Sequence, residues 1–183
     1  MELVEVELAR VVIHQKGDQQ YIHLRERHGP RGFPIVIGYN EVEEINRKLC
    51  GVDPPRPLTH DLCGRILQSL DHRLHRVVIN ELREGTFYAT LVLVPRGEEA
   101  TTGNQRTVDC RPSDAIALAV QTSAPIHVAR DVFEAVAAEA ALLETRIRDG
   151  LSPDEALQRN LLELPRREQD DWTVEPQEND VAR

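Results

Sequence analysis

The stretch HRVVINELREGTFYATLVLV, His75 to Val94, constrains this chain more than any other. Two runs rich in β-branched and aromatic residues flank Glu84-Gly85, which predicts a β-hairpin. The remaining pattern has to be arranged around that hairpin. LVEVELARVVI, residues 3 to 13, alternates well enough for a strand with one buried face. KGDQ then reads as a turn, QYIHLRE as a second strand, RHGPRG as a loop and FPIVIG as a third strand. Together these predict an antiparallel meander.

NEVEEINRKLCG predicts a short helix, with Asn40 as N-cap, Glu43 three residues on, Val42, Ile45 and Leu49 on one face, and Gly51 at its end. The three prolines of VDPPRPL forbid regular structure. THDLCGRILQSLDH predicts a second helix, with Thr59 at the N-cap and Leu62, Ile66, Leu67 and Leu70 as its buried stripe. After the hairpin, QRTVDC reads as a short strand, Pro112 to about Thr122 as a helix, and SAPIHVA as a loop and strand. A longer helix is expected from about Arg130 to Asp149, stopping at Gly150. SPDE, Ser152 to Glu155, is a capping box that starts a last short helix.

This order is not a regular βαβ alternation. It gives an α+β fold class, a mixed and mainly antiparallel sheet packed with helices. The expected organisation is one domain over residues 1–138, a C-terminal helical extension over 139–164, and a disordered acidic tail over 165–183. From Arg130 to Leu164 the pattern is amphipathic, with Val132, Val136, Leu143 and Ile147 on one side, which reads as packing onto the domain or onto a second subunit.

The formal charge of −9 argues against bulk electrostatic attraction to nucleic acid, but it is unevenly spread. Residues 1 to 129 hold 15 Lys and Arg against 17 Asp and Glu, whereas residues 130 to 183 hold 7 against 14. The first two thirds of the chain are therefore near neutral and can carry a local basic surface. No window approaches a membrane span. The N-terminus lacks the basic start and apolar middle of a signal peptide, so a cytoplasmic location is expected. Cys50, Cys63 and Cys110 have no paired spacing and read as reduced, small buried residues.

Common catalytic signatures such as GxGxxG, GxSxG, HExxH and CxxC are missing. His60-Asp61 is a lone HD pair, for which helix capping is the better account on residues alone. His72 and His75 have a spacing that can share a metal, but a solvated helix end explains them better. His14, His23 and His28 read as surface residues. VDCRPSDAIALAV, Val108 to Val120, is denser in chemistry. A helix start accounts for Pro112, Ser113 and Asp114 but leaves Asp109 and Arg111 over. A strand-to-helix junction also offers unpaired N–H groups to phosphate, and an Arg adds a bidentate contact. Two carboxylates can hold a divalent ion or activate a water.

RPLTHDLCGRIL, VVINELREGTFYATLVL and VDCRPSDAIALAVQTSAPIHV, in that order, resemble the bifunctional nuclease domain family, over about Met1 to Ala138. The resemblance implies an α+β domain that self-associates as a dimer and cleaves both RNA and DNA. Thr59, His60, Asp61, Asp109, Arg111, Ser113 and Asp114 match the family's polar motif positions. The expectation is phosphodiester hydrolysis with His60, Asp61, Asp109 and Asp114 as catalytic residues, and with Arg111, Ser113 and Thr59 binding substrate. His60 is the expected general acid, since an imidazole titrates near ~6.5. A divalent cation such as Mg or Mn is the candidate cofactor, with Asp109 and Asp114 its ligands if any. The competing expectation is a non-catalytic regulatory or protein-interaction module in which these polar residues form a structural network.

Overall fold

The computed structural model of the chain describes residues 2–13 and 19–138. The expected helical extension and acidic tail lie outside the described residues, as do Lys16, Gly17 and Asp18 of the expected first turn. Strands β1 (Leu3–Val12), β2 (Gln20–Glu26) and β3 (Gly32–Ile37) form the antiparallel meander that the alternation predicts. The long hairpin is β4 (His72–Arg83) and β5 (Thr86–Pro95). Its turn residues Glu84 and Gly85 have φ of 51° and 72°, the pair of positive values that a two-residue hairpin turn requires.

Two further strands complete the sheet: β6 (Arg106–Cys110), antiparallel to β5, and β7 (Ile126–Ala129). β7 has four residues but lies between the meander and the hairpin, antiparallel to β1 and parallel to β4. One seven-stranded sheet results, in the order β3-β2-β1-β7-β4-β5-β6, and the architecture is α+β.

β6 and β7 both run parallel to β4, so the segment joining them must cross the sheet. That segment is α3 (Pro112–Thr122), which lies over β4 and β5. Ala115 through Ala119 are all buried, as expected of a helix apolar on every side. α1 (Tyr39–Leu49) packs against α3, and α2 (Thr59–Ser69) touches α3 and β4. A fourth helix, α4, starts at Arg130 and is described to residue 138. Its Phe133 meets Phe33 of β3 edge to face, with 5.3 Å between ring centroids. Phe33 also stacks on Phe87 of β5 at 5.4 Å, although four strands separate β3 from β5. The sheet must curl for those rings to meet, which extends the right-handed twist of any sheet.

Three local expectations are corrected. α1 starts at Tyr39 with Gly38 as N-cap, and α2 has Leu58 as N-cap, so neither Asn40 nor Thr59 caps a helix. Leu49 is exposed instead of joining Val42 and Ile45 in the core. On α2 the expected buried stripe points outward. Leu62, Ile66 and Leu70 are exposed, together with Leu58, while only Leu67 and Cys63 pack against the core. The periodicity correctly marked an apolar face but could not say what the face meets. Among the described residues no helix is long and apolar enough to cross a membrane.

Candidate active site

α3 begins immediately where β6 ends. Arg111 is its N-cap in extended backbone and Pro112 occupies the first helical position, where its missing N–H costs nothing. Asp114 then falls in the first turn, close to the positive end of the helix dipole. Because α1 and α2 both pack on α3, this turn sits beside the start of α2 and one charged face of α1.

Asp114 is the centre of the contacts. Arg111 grips its carboxylate with two parallel bonds, Nε to Oδ2 at 2.8 Å and Nη2 to Oδ1 at 3.1 Å. The His60 Nε2 atom lies 3.1 Å from the same Oδ1, joining α2 to α3. Arg111 Nη1 also donates to Glu41 Oε1 of α1 at 2.7 Å. The Arg111 side chain is nevertheless 65% exposed, whereas that of His60 is 15% exposed. Burial alone would raise the Asp114 carboxyl pKa; Arg111 and then His60 overcome it and hold it below the usual carboxylate range. In return Asp114, then Glu41, push the Arg111 guanidinium still further above its already high value.

A second, drier layer lies behind His60. Arg47 forks onto Glu44, Nε to Oε2 at 2.9 Å and Nη2 to Oε1 at 2.8 Å, and donates from Nη2 to Asp61 Oδ2 at 3.1 Å. Lys48 pairs with the other Asp61 oxygen. His60 Nδ1 is 3.7 Å from Glu44 Oε1. Asp61 also accepts the backbone N–H of Leu58 at 2.9 Å, the carboxylate half of a helix-start box. Its burial favours the neutral acid, but Lys48, the Leu58 amide and Arg47 outweigh this and bring it down to about 2.

The expected site residues therefore separate. His60, Arg111 and Asp114 converge. Asp61 sits in the ion layer behind them. Ser113 is buried at 6% exposure, and Thr59 is exposed without a capping bond. Asp109 faces elsewhere: it lies opposite Thr90 on β5, while its neighbour Cys110 lies opposite Ala89 and packs toward the core under the helices. Strand alternation thus turns Asp109 away from the layer that carries Asp114. The Asp114 carboxylate is taken up by Arg111 and His60. Among the described residues no group of three His, Cys, Asp or Glu side chains is arranged to hold a metal ion. Burial, then the charges of Asp114 and Asp109, push the Cys110 thiol up to about 12, which leaves it unreactive.

Glu41, Glu44, Arg47 and Lys48 were missed. The signal was present, because their spacings of three and four place them along one helix face. An amphipathic pattern reads such a face as solvated, however, and Glu44 is buried.

Residues 22–141 match the sequence model of the bifunctional nuclease domain. The chain belongs to that family. It is also 40% identical over 139 residues to uncharacterized proteins of two Mycobacterium tuberculosis strains, CDC 1551 and H37Rv, covering 76% of this chain and 77% of each relative. The bifunctional nuclease domain takes in the convergent residues His60, Arg111 and Asp114 as well as the ion layer of α1.

The ion layer has a measurable consequence. The Asp61 carboxyl titrates lower in the folded chain than in the unfolded one, so its stabilisation is complete above the unfolded value near ~4 and is lost as pH falls toward about 2. Asp61→Asn should cost roughly 1–3 kcal/mol at neutral pH by leaving the largely buried Lys48 without its counter-charge. The same change should flatten the acid limb of stability between those two values. Urea unfolding across that pH range measures both effects.

Proposed function

We propose that this chain is a nuclease that hydrolyses phosphodiester bonds in RNA and DNA, with the α2–α3 junction as its reaction centre. The observation that carries the reading is the 3.1 Å contact between His60 Nε2 and Asp114 Oδ1. It brings two motif blocks, 54 residues apart, together beside an exposed arginine already aligned by two carboxylates. Membership of the bifunctional nuclease domain family supports the same chemistry.

In this reading Arg111 turns its remaining N–H donors to a non-bridging phosphate oxygen and stabilises the charge that builds there. Asp114 stays ionised and fixes the orientation of the imidazole. His60, as the imidazolium, gives a proton to the leaving oxygen as that oxygen's bond to phosphorus breaks and water bonds to phosphorus; the proton shed by the water passes to solvent, from which the imidazole is reprotonated. Arg47, Lys48 and Asp61 hold Glu44 and the start of α2 in place. Asp109, on the other face of the sheet, takes no part. His60→Gln should lower cleavage of labelled single- and double-stranded RNA and DNA by roughly 10²–10⁴-fold while leaving the chain folded. The assay is run with and without chelator; wild-type-level cleavage by the variant would refute the assignment.

One observation favours a non-catalytic module instead. Each charged group at the junction is answered by another, as in a network whose work is architectural. Under that alternative, purified wild-type protein cleaves none of the four substrates.

The chain is further inferred to pair with a second copy of itself through α2. Leu58, Leu62, Ile66 and Leu70 recur every four residues, so a single line of large apolar side chains faces solvent. A helix face of that kind fits an identical face across a two-fold axis. Sedimentation should give a dimer for the wild type and a monomer for the Leu62→Glu, Ile66→Glu double variant; a wild-type monomer at micromolar concentration would rule this interface out.

A further inference from the structure

A second charged group lies on the face of the sheet that α3 does not cover. His127 of β7 stands opposite Glu5 of β1 and opposite Val78 of β4. Arg76, two residues before Val78, projects to the same side. His75 sits where the β4 register skips from Leu74 to Arg76, an irregularity that re-aims a side chain. Glu5 is the carboxylate of this group, and Arg27 already holds it in an ion pair.

The cations are poorly answered. Arg76 makes no ion pair among the described residues, and its Nε is buried with no hydrogen-bond partner there. His127 Nδ1 is likewise buried and unpartnered among the described residues. A guanidinium stays protonated, so its Nε–H is always a donor, and a buried unmet donor calls for an acceptor. The electrostatics agree. Burial, then Arg76, lowers the His127 pKa, with His75 adding to the effect, and burial followed by Arg76 and Arg73 lowers that of His75. These groups repel one another, and their one local counter-charge is engaged by Arg27.

We propose that Arg76 and His127 form a binding site for a tetrahedral oxyanion of the phosphate class, on the side of the sheet opposite the His60–Asp114 junction. One oxygen accepts from Arg76 Nε and another from His127 Nδ1, which then carries a proton. A tetrahedral oxyanion carries several acceptor oxygens and can accept from donors on both β4 and β7 at once. The ligand is either free phosphate or the backbone of a nucleic acid, which share this chemistry.

The test uses the full chain labelled with ¹⁵N in histidine. Inorganic phosphate and a single-stranded oligodeoxythymidine are titrated separately, with sodium chloride at matched ionic strength as the reference. The His127 ring nitrogens should shift saturably with one of them or both, and the imidazole should titrate at higher pH when the site is filled. Saturation by phosphate alone identifies the free anion, and saturation by the oligonucleotide identifies the backbone. Arg76→Met should weaken the response at least ~10-fold, or about 1.4 kcal/mol, with Arg76→Lys intermediate. If Arg76→Met fails to fold, the wild-type titration decides alone. Shifts no larger than those in sodium chloride overturn the proposal. The experiment reads binding only, so its outcome is independent of whether the α2–α3 junction cleaves anything.

Discussion

The placement of β7 is the constraint on which the rest of this structure depends. Four residues, Ile126 to Ala129, tie a three-stranded meander to a long hairpin by bonding to both β1 and β4. The chain reaches that central slot from the edge strand β6, so it must cross the sheet, and α3 is the crossing. A helix in that position has sheet below it and α1 against it, which is why its sequence is a run of alanines with Ile116 and Leu118 among them. Its first turn is the part left free to carry polar chemistry. The Arg111–Asp114 junction is therefore a product of topology as much as of composition.

The charges at that turn fall into two layers with different physics. Arg111 is mostly in water, where a pair with Asp114 and Glu41 adds little to stability and much to orientation. Glu44, Arg47, Lys48 and Asp61 are largely removed from water, where losing any one partner strands another. His60 stands between the layers, against Asp114 on one side and Glu44 on the other. The bond to Asp114 fixes the orientation of that imidazole, while Glu44 lies beyond hydrogen-bond reach of its other nitrogen.

Much of this was legible in the sequence, and the failures have physical causes. Gly85 between two strand-like runs announced the hairpin because few residues other than glycine accept positive φ, and Pro112 announced the start of α3 because proline fits the first helical position and disrupts later ones. The polar block in the opening of α3 was visible as well. Which of its residues share a face was not, because the change from strand to helix between Cys110 and Pro112 resets the periodicity. Asp109 obeys the strand and turns away, while Asp114 obeys the helix and turns in. The outward stripe of α2 and the buried Glu44 failed for a related reason: amphipathic spacing identifies two faces of a helix without saying which one meets the protein. The contact of His60 with Asp114 was out of reach for any reading of local pattern, since it arises only when three helices are packed.

The division between Asp109 and Asp114 assigns the reaction to the helix side of the junction and not to the strand side. It is tested most directly by comparing cleavage of a labelled single-stranded RNA by Asp109→Ala and Asp114→Ala proteins prepared alongside the wild type. Asp109→Ala should cleave at wild-type rates and Asp114→Ala at least ~10²-fold more slowly. The reverse order, or equal losses from both, would contradict it.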